Sequence, residues 1–221
     1  MRLCDKYRPK SLAEIIGQPE AVKVLSRLVA NPERGCVLLE GSSGTGKSAA
    51  AHAVAHELGC YSGWLSTCYS VNGANLTADV LRYWFGPAES PLRLMAPNGW
   101  HVLVIEELEY ANKVCGVLLK DYLDTHNLRS RTIVVATSND SSALPRPVKA
   151  RFGSHLRFKH DFAFAEACWR RLQEIWAMEC PGRKMPTGWG NCGWEDGAFS
   201  MREALNQLQD AVTLELEEIS V

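Results

Sequence analysis

The 221-residue chain is long enough for one sizeable α/β core and a small appendage, but not for three domains. Its 24 Lys+Arg against 25 Asp+Glu give a net charge of −1, which excludes a globally basic nucleic-acid binder and confines any DNA or RNA contact to a local patch. Eight cysteines with no C-x-x-C pair, several inside apolar runs, read as reduced, packed thiols. A zinc site from Cys60, Cys68, Cys180 and Cys192 is the competing reading, at a spacing foreign to the usual zinc motifs.

Residues 1–6 lack the apolar core of a secretion signal, and no run reaches membrane-span length. A soluble intracellular protein is expected, cytoplasmic or, in some cells, nuclear or nucleoid-associated, with no membrane partner. Lys6-Tyr7-Arg8-Pro9-Lys10 is extended by its proline, and Ser11 with Glu14 fits a capping box before Ile15-Ile16-Gly17. Pro19 opens a helix to Ala30 with Val22, Leu25, Leu28 and Val29 on one face.

Cys36 to Glu40 reads as a buried strand, and the alanine-rich Ser48 to Leu58 as a helix stopped by Gly59. Between them Gly41-Ser42-Ser43-Gly44-Thr45-Gly46-Lys47-Ser48 satisfies G-x-x-x-x-G-K-[ST]. The glycines let the backbone wrap a phosphate chain, and unpaired N–H groups at the helix start attract its charge. Lys47 then reaches the β- and γ-phosphates of ATP, and the Ser48 hydroxyl is the expected ligand of Mg²⁺.

Cys68 to Asn72 is assigned as a second strand, and Thr77 caps a helix over Ala78 to Phe85 with Val80, Leu81 and Trp84 inward. Glu89 to Gly99 reads as a loop. The apolar run Val102 to Ile105 suits a central parallel strand and ends in Glu106-Glu107 beside the glycine-rich loop, the Walker B position. Asn112 caps a helix through Leu123, expected to carry Val114, Val117, Leu118 and Tyr122 on its apolar face. Thr132 to Thr137 delivers Ser138-Asn139 to the same edge, and His155 to Phe158 reads as a last strand.

These βα units predict an α/β fold with a doubly wound parallel sheet of P-loop NTPase type. Beyond Lys159 the texture turns helical: Ala163 to Met178, a Gly/Pro/Trp-rich loop through Gly197, and Met201 to Glu218. The expected division is a nucleotide-binding core over residues 1–159 and a small helical lid over 160–221.

In this order the motifs resemble the AAA+ ATPases, and within them the clamp-loader group typified by replication factor C small subunits. Lys6-Tyr7-Arg8-Pro9 and Ile16-Gly17-Gln18 are similar to the group's K-Y-R-P and V-G-Q elements, which implies that Tyr7, Arg8, Pro9, Ile16 and Gly17 line an adenine pocket. Glu106-Glu107 stands where the family has Asp-Glu, Asn139 at sensor 1, Arg151 at the arginine finger, and Arg202, within Met201 to Asn206, at sensor 2. The resemblance implies that Glu106 holds the metal's water shell, Glu107 orients the attacking water and Asn139 positions it. It also implies that Arg202 leans onto the γ-phosphate and that Arg151 completes a neighbour's site in trans.

Two departures stand out: Glu106 in place of aspartate, and Ala150-Arg151-Phe152 where the clamp-loader group has Ser-Arg-Cys. On this pattern the 221 residues leave no room for the group's helical collar. Implied partners are further AAA+ subunits in a homo- or hetero-oligomer, a sliding clamp and primer-template DNA. Lys113, Lys120, Arg129 and Arg131 are the candidate phosphate-contacting patch. The function expected is an ATP-hydrolysing module of DNA replication or repair. The alternatives are a helicase-loading or remodelling motor, or a nucleotide-bound adaptor with little turnover.

Overall fold

The computed structural model describes residues 1–61, 66–86, 90–93, 96, 98–124, 131–185, 192–195 and 198–219. Strands β1 (Gly35–Glu40), β2 (Cys68–Asn72), β3 (His101–Glu106), β4 (Thr132–Ser138) and β5 (Ser154–Arg157) form one sheet in the order β2-β3-β4-β1-β5. Every pairing between them is parallel. Hydrophobic runs dictate this burial: Val102 to Ile105 and Ile133 to Ala136 have no exposed surface, as befits strands covered on both faces.

Side-chain alternation divides the core into two layers. Val37, Leu39, Val102, Val104, Ile133 and Val135 point towards α2 (Pro19–Ala30) and α3 (Lys47–Glu57). On the opposite face Leu38, Leu103, Ile105, Val134 and Ala136 meet α4 (Ala78–Phe85) and α5 (Lys113–Tyr122). Each fully buried Leu or Val side chain contributes ~1.5–3 kcal/mol. Ala50, Ala51, Ala53 and Ala55 let α3 lie close against the sheet. Thr77 and Asn112 cap α4 and α5 by accepting from the N–H groups of Val80 and Cys115.

Three expectations need correction. The helix after Asn112 forms, but Val114 and Val117 are 65% and 63% exposed, and Cys115 and Leu119 hold the buried face. The Glu89 to Gly99 stretch contains a 3₁₀ turn at Pro91–Arg93, while Glu89 itself lies outside the described residues. The Gly/Pro/Trp-rich stretch before Gly197 contains β6 (Trp194–Glu195), paired antiparallel with β7 (Ala198–Phe199). Gly197 lies outside the described residues.

Beyond the short helix α6 (Arg146–Lys149), a third apolar cluster joins α7 (Phe162–Glu179) and α8 (Met201–Ile219) through Cys168, Leu172, Ile175, Ala204 and Leu208. Leu3 of the short helix α1 (Leu3–Lys6) is buried in this cluster, with Cys4, Tyr7 and Ile16 against it. The N-terminal residues, expected with the core, therefore pack on the helical unit. Leu3 N donates to Gln209 Oε1 at 2.8 Å, and Glu179 accepts from Lys6 Nζ at 2.6 Å and from the Tyr7 hydroxyl.

No helix among the described residues is long and apolar enough to cross a membrane. All eight cysteines are free thiols, and no group of three or more His, Cys, Asp or Glu among the described residues is arranged to hold a metal, so the zinc reading has no support. Of the tryptophans, Trp84 and Trp176 are core residues, Trp194 is 39% exposed, and Trp64 and Trp189 lie outside the described residues.

Candidate functional site

The parallel order places the C-terminal ends of β1, β4 and β3 side by side, so three sequence-distant loops share one edge of the sheet. β1 runs into Gly41, and the loop that follows ends in α3. Gly44 has φ +74°, and a Cβ there would lie 2.0 Å from Ser200 Oγ, so the loop and the start of α8 touch at a position that only glycine fits. Met201 N donates to Gly44 O at 3.2 Å across the same contact.

Lys47 is buried within this loop at 6% exposure. Its Nζ donates to Gly41 O at 2.7 Å, Ser42 O at 2.6 Å and Asn139 Oδ1 at 2.9 Å. Burial pushes its pKa down to about 8, with Arg202 acting in the same direction and Glu109 and Glu107 opposing. Asn139, at the end of β4, thus meets the loop lysine directly, and its backbone N donates to Glu109 Oε1 at 2.9 Å.

Glu106 ends β3 beside α3. His52 Nε2 lies 3.1 Å from its Oε1, and the Ser48 hydroxyl also bonds the carboxylate. The hydrogen bond from His52 dominates, and with that from Ser48 it outweighs burial and holds the Glu106 pKa at about 2. A hydroxyl beside a permanently ionised carboxylate is a hard oxygen donor set, which fits Mg²⁺.

Glu107 adopts a left-handed backbone, φ 53° and ψ 52°, a conformation costing ~1–3 kcal/mol for a residue with a side chain. Its N–H donates to the buried Thr137 Oγ1 at 3.0 Å, and Asn72 Nδ2 donates to its Oε2 at 2.7 Å. A Cβ on Gly73 would come within 2.2 Å of Glu107 O, so the loop after β2 must carry glycine to approach this closely.

One cleft of about 840 Å³ gathers most of the expected residues. Tyr7, Arg8, Pro9, Ile16, Ser43, Gly44, Thr45, Gly46, Lys47, Ser48, Glu106, Glu107, Asn139 and Arg202 line it. α8 carries Arg202 there, held against α7 by Ala204, Leu205 and Leu208 of the same helix. Gly17 packs instead against Phe164 of α7, and Gly41 and Ser42 enter through the carbonyls that Lys47 grips.

Arg151 does not line the cleft; its Nε lies 3.6 Å from Asp124 Oδ2. Nor are the described residues of the basic patch all drawn together. α5 runs back from the C-terminal edge of β3 to the N-terminal edge of β4, so Lys113 and Arg131 stand at opposite ends of the sheet. Lys120 pairs with Asp121 at 3.3 Å, and Arg129 lies outside the described residues.

Two site residues, Asn72 and His52, are absent from the sequence reading. Residue order alone displays neither: His52 meets Glu106 through the facing of α3 to β3, and Asn72 is set beside Glu106 by the register of β2 on β3.

This chain resembles known proteins over most of its length. It is 30% identical over 210 residues to the replication factor C small subunit of Thermoplasma acidophilum, covering 95% of this chain and 63% of that protein. It is 27% identical to the small subunit of Thermofilum pendens, covering 94% and 61%. Replication factor C subunit 4 of Saccharomyces cerevisiae is also 27% identical, covering 94% and 62%. The chain thus spans about three fifths of the length of these relatives.

Among solved structures, the Thermotoga maritima RuvB Holliday junction branch migration motor superposes with a TM-score of 0.68 at 23% identity, covering 94% of this chain and 67% of that one. Hsp104 in a closed state gives 0.63 at 18%, covering 92% and 45%. These two likenesses speak for the fold. The profile of the ATPase family associated with various cellular activities (AAA) matches residues 37–160, more than half of the chain, ending where the helical unit begins, and the chain therefore belongs to that family.

Proposed function

We propose that this chain is the ATP-hydrolysing module of a clamp-loader-type assembly acting on DNA in replication or repair. The observation that carries the reading is the convergence of Lys47, Ser48, Glu106, Glu107, Asn139 and Arg202 on one cleft. Its likeness to replication factor C small subunits supports an assembly of neighbouring AAA+ subunits; a sliding clamp and primer-template DNA are the further partners of this proposal.

Each residue has a role that its geometry supports. Backbone N–H groups of Gly44 to Ser48 bind the phosphates, and Lys47 exchanges one of its three present acceptors for a phosphate oxygen. Ser48 and Glu106 hold Mg²⁺, which when bound neutralises charge on the phosphates. Glu107, pinned by Asn72 and Thr137, orients the attacking water with Asn139 beside it. Arg202 reaches the γ-phosphate from α8, so nucleotide binding draws the helical unit onto the loop through the contact already made by Met201 and Gly44. Arg151, remote from its own cleft, serves a neighbouring subunit.

Turnover measured with and without primed DNA tests this. Stimulation by DNA is expected, and Arg151→Ala should abolish turnover of the assembly while nucleotide binding persists. Hydrolysis indifferent to DNA would point to a motor outside clamp loading, and tight binding without hydrolysis to an adaptor.

A further inference from the structure

Glutamate at the Walker B metal position carries one more methylene, and one more free torsion, than aspartate. A carboxylate that must hold a cation's water shell then loses additional rotamer freedom on binding unless something fixes it beforehand. In this chain something does. His52 projects from α3 one turn after Ser48, and its Nε2 lies 3.1 Å from Glu106 Oε1.

The imidazole is itself held from behind. Its Nδ1 meets the Tyr61 hydroxyl, and Cys68 Sγ donates to the same phenolic oxygen at 3.0 Å. A phenol proton given to Nδ1 sets the imidazole proton on Nε2, aimed at Glu106. His56 packs against the Tyr61 ring at 4.2 Å between centroids, limiting its swing. The result is a contiguous series of hydrogen-bonded groups, thiol, phenol, imidazole and carboxylate, ending at Glu106. The imidazole takes only one of the two carboxylate oxygens, Oε1.

We infer that His52 is a positioning residue that braces the long Glu106 side chain for the metal of a bound nucleotide, supplying the order that a shorter aspartate has by itself. The inference rests on the proposed role of Ser48 and Glu106 as the metal-holding pair. Residues that orient a metal-site carboxylate through its outer hydrogen bond typically change metal affinity ~10–100-fold.

The test is Mn²⁺ binding in the presence of the non-hydrolysable analogue AMP-PNP, read from loss of the free-Mn²⁺ paramagnetic resonance signal. Wild type is compared with His52→Ala, His52→Gln, Glu106→Asp and the double variant His52→Ala with Glu106→Asp. Metal-free AMP-PNP binding, which depends on the loop and Lys47, is measured first as proof of an intact fold. Should His52→Ala fail that check, His52→Leu, which fills the space without a donor, replaces it.

His52→Ala is expected to weaken Mn²⁺ binding about tenfold or more. His52→Gln should recover most of the loss, because its amide can donate to Glu106. In the Glu106→Asp background, removal of the imidazole should cost little. Unchanged Mn²⁺ affinity in His52→Ala, or an equal loss in the Glu106 and Asp backgrounds, overturns the inference. If Ser48→Ala also leaves Mn²⁺ affinity unchanged, the metal-holding pair itself is wrong, and the role of His52 falls with it.

Discussion

Lys47 gives its three protons to Gly41 O, Ser42 O and Asn139 Oδ1, so a phosphate entering the loop has to displace at least one acceptor. Burial has also brought its pKa down to about 8. Below that value the ammonium is present before the nucleotide arrives. Above it, binding must first return a proton to the amine, so affinity for the triphosphate should fall by up to about tenfold per pH unit as pH rises past 8. Titrations of AMP-PNP between pH 7 and 9.5 check this, and a flat profile would show that Lys47 keeps its proton.

Asn72 makes a different kind of contribution, since it touches Glu107 rather than the phosphates. Asn72→Ala should lower kcat on the order of tenfold to a hundredfold while leaving nucleotide affinity unchanged, because only the orientation of the carboxylate is lost. Single-turnover hydrolysis beside equilibrium binding separates the two effects. At this scale the sequence exposed residues whose roles are local, such as Lys47 and Ser48 in their motif. Asn72 and His52 act across elements, through the register of β2 on β3 and the facing of α3 to β3, which residue order alone does not display.

At the scale of elements, α5 shows where pattern reading reaches its limit. Its boundaries and its Asn112 cap are legible, because a capping side chain acts within four residues of itself. Its buried face is less so. Two stripes compete on this helix, one through Val114 and Val117 and one through Cys115 and Leu119, and partly buried Leu118 lies next to both. Packing against α4 selects the second, with Leu119 fully buried and the Cys115 thiol donating to Leu76 O at 3.0 Å. Leu119→Ala should therefore cost ~2–5 kcal/mol. Val117→Ser should stay within ~0.5 kcal/mol of wild type. Denaturant unfolding of both variants decides it, and a reversed order would restore the valine face. The β6-β7 ribbon escaped notice for a simpler reason: two-residue strands are too short to show a period of two.

For the whole molecule, the alternation of apolar strands with amphipathic helices suffices to read a doubly wound sheet, and the three strand ends that meet at the cleft follow from the parallel order. The helical unit was legible as separate from the sheet, but not its tie to the chain's beginning. Leu3 in the apolar cluster, Gln209 on its backbone, and Glu179 under Lys6 and Tyr7 bind residues 1–7 to α7 and α8. These are contacts between residues 170 to 210 positions apart, for which no local pattern exists. They also tie Tyr7 and Arg8, at the cleft, to the helical unit that carries Arg202.

Hydrogen–deuterium exchange with and without AMP-PNP and Mg²⁺ tests this convergence most directly. Simultaneous protection is expected over residues 41–48, 106–110, 137–140 and 200–206, and none of it in Lys47→Ala. Protection confined to the loop at 41–48, with the other three segments unchanged, or protection that persists undiminished in Lys47→Ala, would contradict a single nucleotide site built from all four.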